Sequence, residues 1–461
     1  MPEISPLVEQ AYTRPNRPAI IVGHNIVTYS ELKIKVEKTL GFLQQEQIKP
    51  GYKVAFLAKN RFEEIILLLS LYYNKTVTIP LSFRYTDDQF LQVINQLSPD
   101  VIINFNDDSI SCSRRIDFDF EFIDKCNQSP LTSWDLTKDA GIVLSSGSTG
   151  QPKAVVQTLG NYYWSALGAN AILNLEHGDR YLLSLPLFHV GGLGILFRTL
   201  LSGATLVLPD EKLSLTENIV KFKISHLSLV STQLKELVES IDDKIADQLK
   251  AVLLGGSAFP DTLIEKALQK NIPIIKSYGA TESASLVTAT RLGDGFDKLK
   301  TSGTVLPYRK IKISADGEIL ISGEVLFDRY LNDTHANTAD YWYPTGDLGF
   351  IDSDGYLTVA GRKDNLFISG GENIYPEEIE ATLLNFPEIE EAVVVPLADE
   401  KYGFVPVAFV RSNREFDQNR MWSLEKFKKP KKIYPWPADY KKTGLKINRL
   451  YFIKLAQKLN S

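Results

Sequence analysis

Between residues 140 and 290 the chain carries short apolar runs, RYLLSL, ATLVLP, HLSLVS, AVLLGG and PIIKSYG, separated by stretches long enough for a helix. Strands alternating with helices predict a sheet covered by helices. After residue 300 the pattern changes. KIKISADGEILISG and LGFIDSDGYLTVAG each place Asp-Gly between alternating runs, the strongest short-range hairpin signal, so a β-rich subdomain follows the α/β part. Beyond GRKDN at 361–365 come a glycine pair, a helix opened by proline in YPEEIEATLLNF, and two strand-like runs, EEAVVVPL and VPVAFV. That end reads as a small α+β domain. One further segment stands out. After Gly192, PLFHVGGLGILFRTLLSG reads as a mostly apolar helix ending at Ser202-Gly203, with Arg198 its one charge.

A chain of 461 residues is too long for one ordinary core, so two or more domains are expected. Its 44% hydrophobic content is that of an ordered globular protein. Cys112 and Cys126 fit neither a zinc site nor a disulfide framework; reduced thiols in a cytoplasmic protein are the expectation. The opening MPEISPLVEQAY lacks a basic stretch followed by an apolar core, and the best apolar runs are broken by Asn74-Lys75 and by Arg198, so neither secretion nor a membrane span is indicated. Charge is uneven. Residues 411–461 hold 14 Lys and Arg against 4 Asp and Glu, which leaves the remainder strongly acidic. This marks a basic C-terminal module, a solvated face or a polyphosphate-binding surface, with no interleaved aromatic motif to suggest nucleic acid.

The stretch LSSGSTGQPKAVVQT comes directly after an expected strand. Gly147 and Gly150 expose amide N–H groups, Ser145, Ser146, Ser148 and Thr149 add hydroxyl donors, and Lys153 adds charge, a set suited to a polyphosphate. It is not a Walker A loop, which needs Gly-Lys-Ser/Thr where this chain has Pro152, Lys153 and Ala154. Alone, such composition is better explained by a surface linker.

Its company decides. SSGSTGQPK, YGATES at 278–283, YPTGDLG at 343–349, GRKDNLFISGGENIYPEEIE and TGLKINR at 443–449 together resemble, in order, the motifs of the adenylate-forming superfamily of acyl-CoA synthetases, peptide-synthetase adenylation domains and luciferases. The resemblance spans essentially the whole chain. It implies an α/β fold with a β-barrel-like subdomain: a large N-terminal adenylate-forming domain, residues 1–362, and a small mobile α+β lid, 363–461. It also implies two reactions. A carboxylate does not acylate a thiol at neutral pH, so the acid first attacks the α-phosphorus of ATP, with prepositioned cations and N–H donors meeting the charge that builds on phosphate oxygens; CoA then displaces AMP.

The same resemblance distributes roles. Ser145 to Gly150 and Lys153 would cradle the phosphates, Glu282 would hold Mg²⁺ and Thr281 would donate to phosphate. Tyr278, with Gly279, would stack on adenine while Gly255, Gly256 and Ser257 let backbone approach the purine. Asp347, assisted by Arg362, would accept from both ribose hydroxyls. Asp364 would be the hinge, and Lys446 the catalytic lysine bridging carboxylate and α-phosphate. Taken singly, each admits a structural explanation: Glu at a helix start, a buried Tyr, Asp in a Gly-flanked turn, a solvated lysine. Two residues depart from the family pattern, Leu445 and Ala154 replacing customary glycines, and the C-terminal part is short, with NREFDQNRMWSLEKFKKP the expected place of divergence.

Within the superfamily, QTLGNYYWSALG and LPLFHVGGLGILFRTLLSG are similar to o-succinylbenzoate–CoA ligases of menaquinone and phylloquinone synthesis. That likeness implies a small-molecule carboxylic acid, ATP and CoA as substrates. His189 would line the pocket near the reacting end, and Arg198 would hold the ring carboxylate. Structurally, Arg198 would instead snorkel or pair with a protein carboxylate, and His189 would be a packed loop residue. The alternatives are another acyl- or aryl-CoA synthetase and, from a different class, a non-catalytic nucleotide-binding protein.

Overall fold

A computed structural model describes residues 5–105, 115–145, 152–333, 340–414, 424–425, 427–440 and 447–460. Two helix-flanked sheets form its bulk. The first runs, strand beside strand, Arg329–Tyr330, Lys153–Thr158, Asp139–Ser145, Val77–Ser82, Lys53–Ala58, Val101–Phe105, Arg115–Phe118. The pairs from Asp139–Ser145 through Arg115–Phe118 are parallel. Its central strand, Val77–Ser82, is buried along its whole length, as expected where helices cover both faces.

The second sheet contains all five apolar runs of the region 140–290, as Ile274–Tyr278, Ala251–Leu254, His226–Leu229, Arg180–Leu182 and Thr205–Val207, lying in that order and continuing to Pro18–Val22 and Asn25–Thr28. These five pair in parallel. An apolar cluster including Phe56, Leu67, Tyr162, Phe197 and Leu206 fills the space between the two sheets. The carboxyl ends of the parallel strands make up one edge of each sheet, the usual ligand-binding edge of an α/β sheet.

The β-rich part after residue 300 is an antiparallel sheet of Lys310–Ile313, Glu318–Ser322, Tyr343–Ile351 and Leu357–Arg362. Both Asp-Gly pairs sit at its turns: Gly317 and Gly355 each have φ +83°, a left-handed conformation that glycine adopts without steric cost. The last part is built on the long antiparallel pair Ile389–Asp399 and Gly403–Ser412, flanked by Phe367–Ser369 and Glu372–Ile374. Helix Pro376–Leu384, opened by its proline, and helix Arg449–Asn460 contribute to its two apolar clusters. All buried members of those clusters lie at or beyond Phe367, and those of the other clusters at or before Leu357.

Candidate functional site

Strand Ile274–Tyr278 ends at this edge of its sheet, and the next seven residues make a tight excursion. Ser283 Oγ accepts from Ala280 N–H at 3.1 Å, and Thr281–Ser283 form a single 3₁₀ turn. Ala284 and Ser285 then take positive φ, +48° and +109°. The second is a conformation that a residue with a Cβ rarely holds unless its surroundings over-determine it. Gly279 is required by this fold-back: a Cβ there would lie 1.6 Å from the Ser285 carbonyl oxygen.

The excursion brings three chemistries to one loop. At its start, the Tyr278 hydroxyl donates to Asp347 Oδ2 at 2.7 Å, and Arg362 Nη1 donates to Asp347 Oδ1 at 2.9 Å. Burial, then the Asp347 charge, push the Tyr278 phenol well above its ordinary value, so it remains a donor. Burial alone would lower Arg362, but Asp347 more than offsets it and the guanidinium is raised. A carboxylate fixed from both sides beside a half-buried aromatic ring suits a ribose diol and a purine. Gly255, at the end of the neighbouring strand, faces Ser277 Oγ, which a Cβ would approach to 3.0 Å; Gly256 has φ +77°. Ser257 Oγ accepts from Ser231 N–H at 3.3 Å, closing that turn.

In the middle lies Glu282, nearly buried. Its Oε1 accepts from the Tyr330 hydroxyl at 3.0 Å, and the Tyr330 and Tyr343 hydroxyls are 2.8 Å apart. Burial first and the Glu282 charge second raise both phenols, keeping them protonated. Lys153 Nζ stands 5.2 Å from the Tyr330 ring, and Gln157 Nε2 donates to the Thr281 carbonyl at 2.6 Å. The donor set fits Mg²⁺, a hard cation usually held by one or two carboxylates with phosphate oxygens.

At the far end stands Arg198. Helix Val190–Ser202 ends on Gly203, φ +72°, as the sequence predicts, but begins at Val190 and so takes in Gly191 and Gly192, ahead of the expected start. Arg198 is 1% exposed. Its contacts are long and neutral, 3.5 Å to the Tyr181 hydroxyl and 3.4 Å to Ser285 Oγ, and its Nε has no hydrogen-bond partner among the described residues. Among the described residues, neither a snorkelling side chain nor a protein ion pair accounts for it. A buried guanidinium so placed lacks an anion. His189 is half-buried where the helix begins, its ring 4.6 Å from Phe188.

Asp364 lies in the turn Lys363–Asn365, 3.5 Å from Arg362. Lys363 reaches back to Asp316 at 2.6 Å and Glu318 at 2.9 Å. Ser145 ends its strand, whereas Ser146, Gly147, Ser148, Thr149, Gly150 and Lys446 lie outside the described residues, as do Cys112, Leu445 and most of 413–430. The chain just beyond Lys446 is anchored: Asn448 N–H donates to the Tyr440 hydroxyl at 2.7 Å, and Arg449 Nη1 to Glu380 at 2.6 Å. Tyr330, Tyr343 and Ser285 do not stand out in the sequence as site residues. Tyr343 opens the YPTGDLG motif and Ser285 lies two residues past the end of YGATES, but nothing local marks Tyr330.

Residues 7–331 match the family of AMP-binding enzymes, and 378–444 match the AMP-binding enzyme C-terminal domain. A 2-succinylbenzoate–CoA ligase from Listeria monocytogenes is 33% identical over 435 residues, covering 91% of this chain and 92% of its own. One from Bacillus cytotoxicus is 32% identical over 451 residues, 93% of each. Among solved structures, o-succinylbenzoate CoA synthetase from Bacillus subtilis in complex with the acyl-adenylate intermediate superposes with a TM-score of 0.89 at 28% identity, covering 97% of each chain. The same enzyme with ATP and magnesium ion gives 0.88 at 28%, covering 97% of this chain and 99% of that one.

Proposed function

The chain belongs to the family of AMP-binding enzymes, and from that premise we propose that it joins 2-succinylbenzoate to CoA through an acyl-adenylate, in menaquinone synthesis and in the cytoplasm. Its closely similar relatives are 2-succinylbenzoate–CoA ligases along nearly their full length. Among the described residues no helix is long and apolar enough to cross a membrane.

In the first half-reaction the succinyl carboxylate attacks the α-phosphorus of ATP and pyrophosphate leaves. Asp347 and Arg362 hold the ribose, Tyr278 packs on the adenine, and Gly255, Gly256, Ser257 and Gly279 leave room beside the base. Lys153 and the Ser145–Gly150 stretch meet the phosphates, with Thr281 adding a hydroxyl donor. Glu282 is the carboxylate that would hold Mg²⁺, which neutralises phosphate charge when bound. Lys446 bridges the reacting carboxylate and the α-phosphate. In the second half-reaction the CoA sulfur attacks the acyl carbonyl, the C–O bond to AMP breaks, and the thioester and AMP are released. We divide the chain at residues 362 and 363, with Asp364 as the hinge by which the smaller part turns between the two steps; the partition of apolar clusters around this point supports that division.

The observation that carries the substrate is Arg198, a buried cation with an unpartnered Nε and no carboxylate beside it among the described residues. An acid with a second, distal carboxylate supplies the missing anion, directly or through water. His189 lines the pocket nearer the reacting end. Arg198→Ala should therefore raise KM for 2-succinylbenzoate far more than for the same keto acid lacking its ring carboxylate, leaving the KM for ATP nearly unchanged. Equal penalties on both acids would make Arg198 structural and remove this support.

A further inference from the structure

A second arginine holds the loop that Arg198 touches. Arg309 precedes strand Lys310–Ile313 and is 6% exposed. Its Nε donates to the Leu286 carbonyl at 2.7 Å, its Nη1 to the Pro307 carbonyl at 2.7 Å, and its Nη2 to both the carbonyl and the hydroxyl of Ser165, at 2.9 and 3.1 Å. Ser165 Oγ in turn donates to the Ala284 carbonyl at 2.7 Å. The guanidinium and its serine thus grip residues 284 and 286, on either side of Ser285. Ser285 is the strained residue whose hydroxyl accepts from Arg198. Gly168 makes the space, since a Cβ there would lie 2.2 Å from Arg309 Nη1.

Arg309 is satisfied geometrically but not electrically. Its acceptors are neutral, and no described carboxylate pairs with it. Burial, and secondarily the charge of Arg198, lower its guanidinium to about 9, so it is still a cation at neutral pH. Arg198 and Arg309 therefore place two uncompensated cations in one poorly solvated region, where charge interactions are strong. A distal carboxylate meeting Arg198 would offset this charge, and an acid without one would not.

We propose that Arg309 is a positioning and specificity residue for the acid: it clamps Ala284–Leu286 so that Ser285 faces Arg198, and it adds a second positive charge that favours a dicarboxylate. The inference rests on the reading that the distal carboxylate meets Arg198. It differs from a merely structural brace, which would affect all acids alike.

The test is ATP–pyrophosphate exchange by wild type, Arg309→Met and Arg309→Lys, with 2-succinylbenzoate and with the keto acid lacking the ring carboxylate, alongside the KM for ATP and the urea midpoint. Arg309→Met should raise KM for the dicarboxylate by about tenfold, as expected for loss of a nearby charge in a medium of low polarity. The other acid should change by no more than about twofold, like the KM for ATP. Lysine, which keeps the charge, should restore most of the preference. An unchanged ratio, equal rises for both acids, or a lysine variant no better than methionine would each overturn the proposal. Should Arg309→Met not fold, Ser165→Ala releases the Ala284 carbonyl at smaller structural cost: a rise confined to the dicarboxylate supports the clamp, and an unaltered preference overturns it. A wild-type enzyme indifferent to the ring carboxylate would sink the substrate reading and this inference with it. A discriminating wild type whose preference survives Arg309→Met would sink this inference alone.

Discussion

Asp347 is gripped by two donors, the Tyr278 hydroxyl at 2.7 Å and Arg362 at 2.9 Å, leaving its remaining lone pairs for a ligand. Replacing it by alanine removes a charged acceptor, so ATP affinity should fall by about 1.5–3 kcal/mol for each hydrogen bond to the ribose that disappears. Isothermal titration with ATP measures this, and unchanged affinity would remove Asp347 from the site. Glu282→Gln keeps shape while removing charge. The Mg²⁺ concentration for half-maximal activity should rise sharply with folding intact, because Tyr330 can donate to the amide oxygen as it does to Glu282 Oε1. A normal Mg²⁺ titration would point to another ligand. Residues of this kind were legible because each sits inside a short motif. Tyr330 and Arg309 were not: one lies 48 positions from Glu282 and the other 144 from Ser165. Within LPYRKIKI, Arg309 reads as one more basic residue beside an alternating strand, and only the tertiary fold shows that it points inward.

Elements specified by local chemistry are legible in the sequence, although helix Val190–Ser202 begins three residues ahead of its expected start. The two Asp-Gly hairpins, the proline-opened helix Pro376–Leu384 and the glycine-ended helix Val190–Ser202 arise from backbone preferences that do not depend on distant partners. The sheet nearer the N-terminus is not legible in the sequence. Strands buried on both faces show no alternation, so Val77–Ser82 and Val101–Phe105 offer little periodicity to read. The turn Lys363–Asn365 joins the parts that the clusters separate, and Lys363 ties it to Asp316 and Glu318. Proline at 364 fixes one backbone angle of this turn. Asp364→Pro should leave adenylate formation near normal while suppressing thioester formation from supplied acyl-adenylate. Single-turnover assays of each half-reaction distinguish this from an ordinary linker, which would leave CoA transfer unimpaired.

At the scale of the whole molecule, stability against acid depends on a buried histidine. His226 is fully buried in the second sheet, its Nε2 3.0 Å from the Leu173 carbonyl, its Nδ1 2.8 Å from Ser225 Oγ and 4.0 Å from Asp179. Lys250 and Glu176 also face it. Burial lowers its folded-state value below 6.5, against weaker opposing effects of the Leu173 carbonyl and Asp179. The unfolded chain therefore takes up this proton first. The stabilisation is present above the unfolded value and is lost as pH falls from 6.5 through the folded one, by up to about 1.4 kcal/mol per pH unit. Urea unfolding of wild type and His226→Gln at about pH 8 and about pH 5.5 should show the steeper acid loss in wild type, because only there does the unfolded chain gain the extra proton; parallel losses would exclude the histidine. The central claim is that this fold activates an acid with two carboxylates as its adenylate, and it is tested most directly by ATP–pyrophosphate exchange without CoA across a panel of carboxylic acids. Rapid exchange with 2-succinylbenzoate and little with succinate, benzoate or the keto acid lacking the ring carboxylate is the predicted result. Silence with 2-succinylbenzoate, or faster exchange with a monocarboxylic acid, would contradict it.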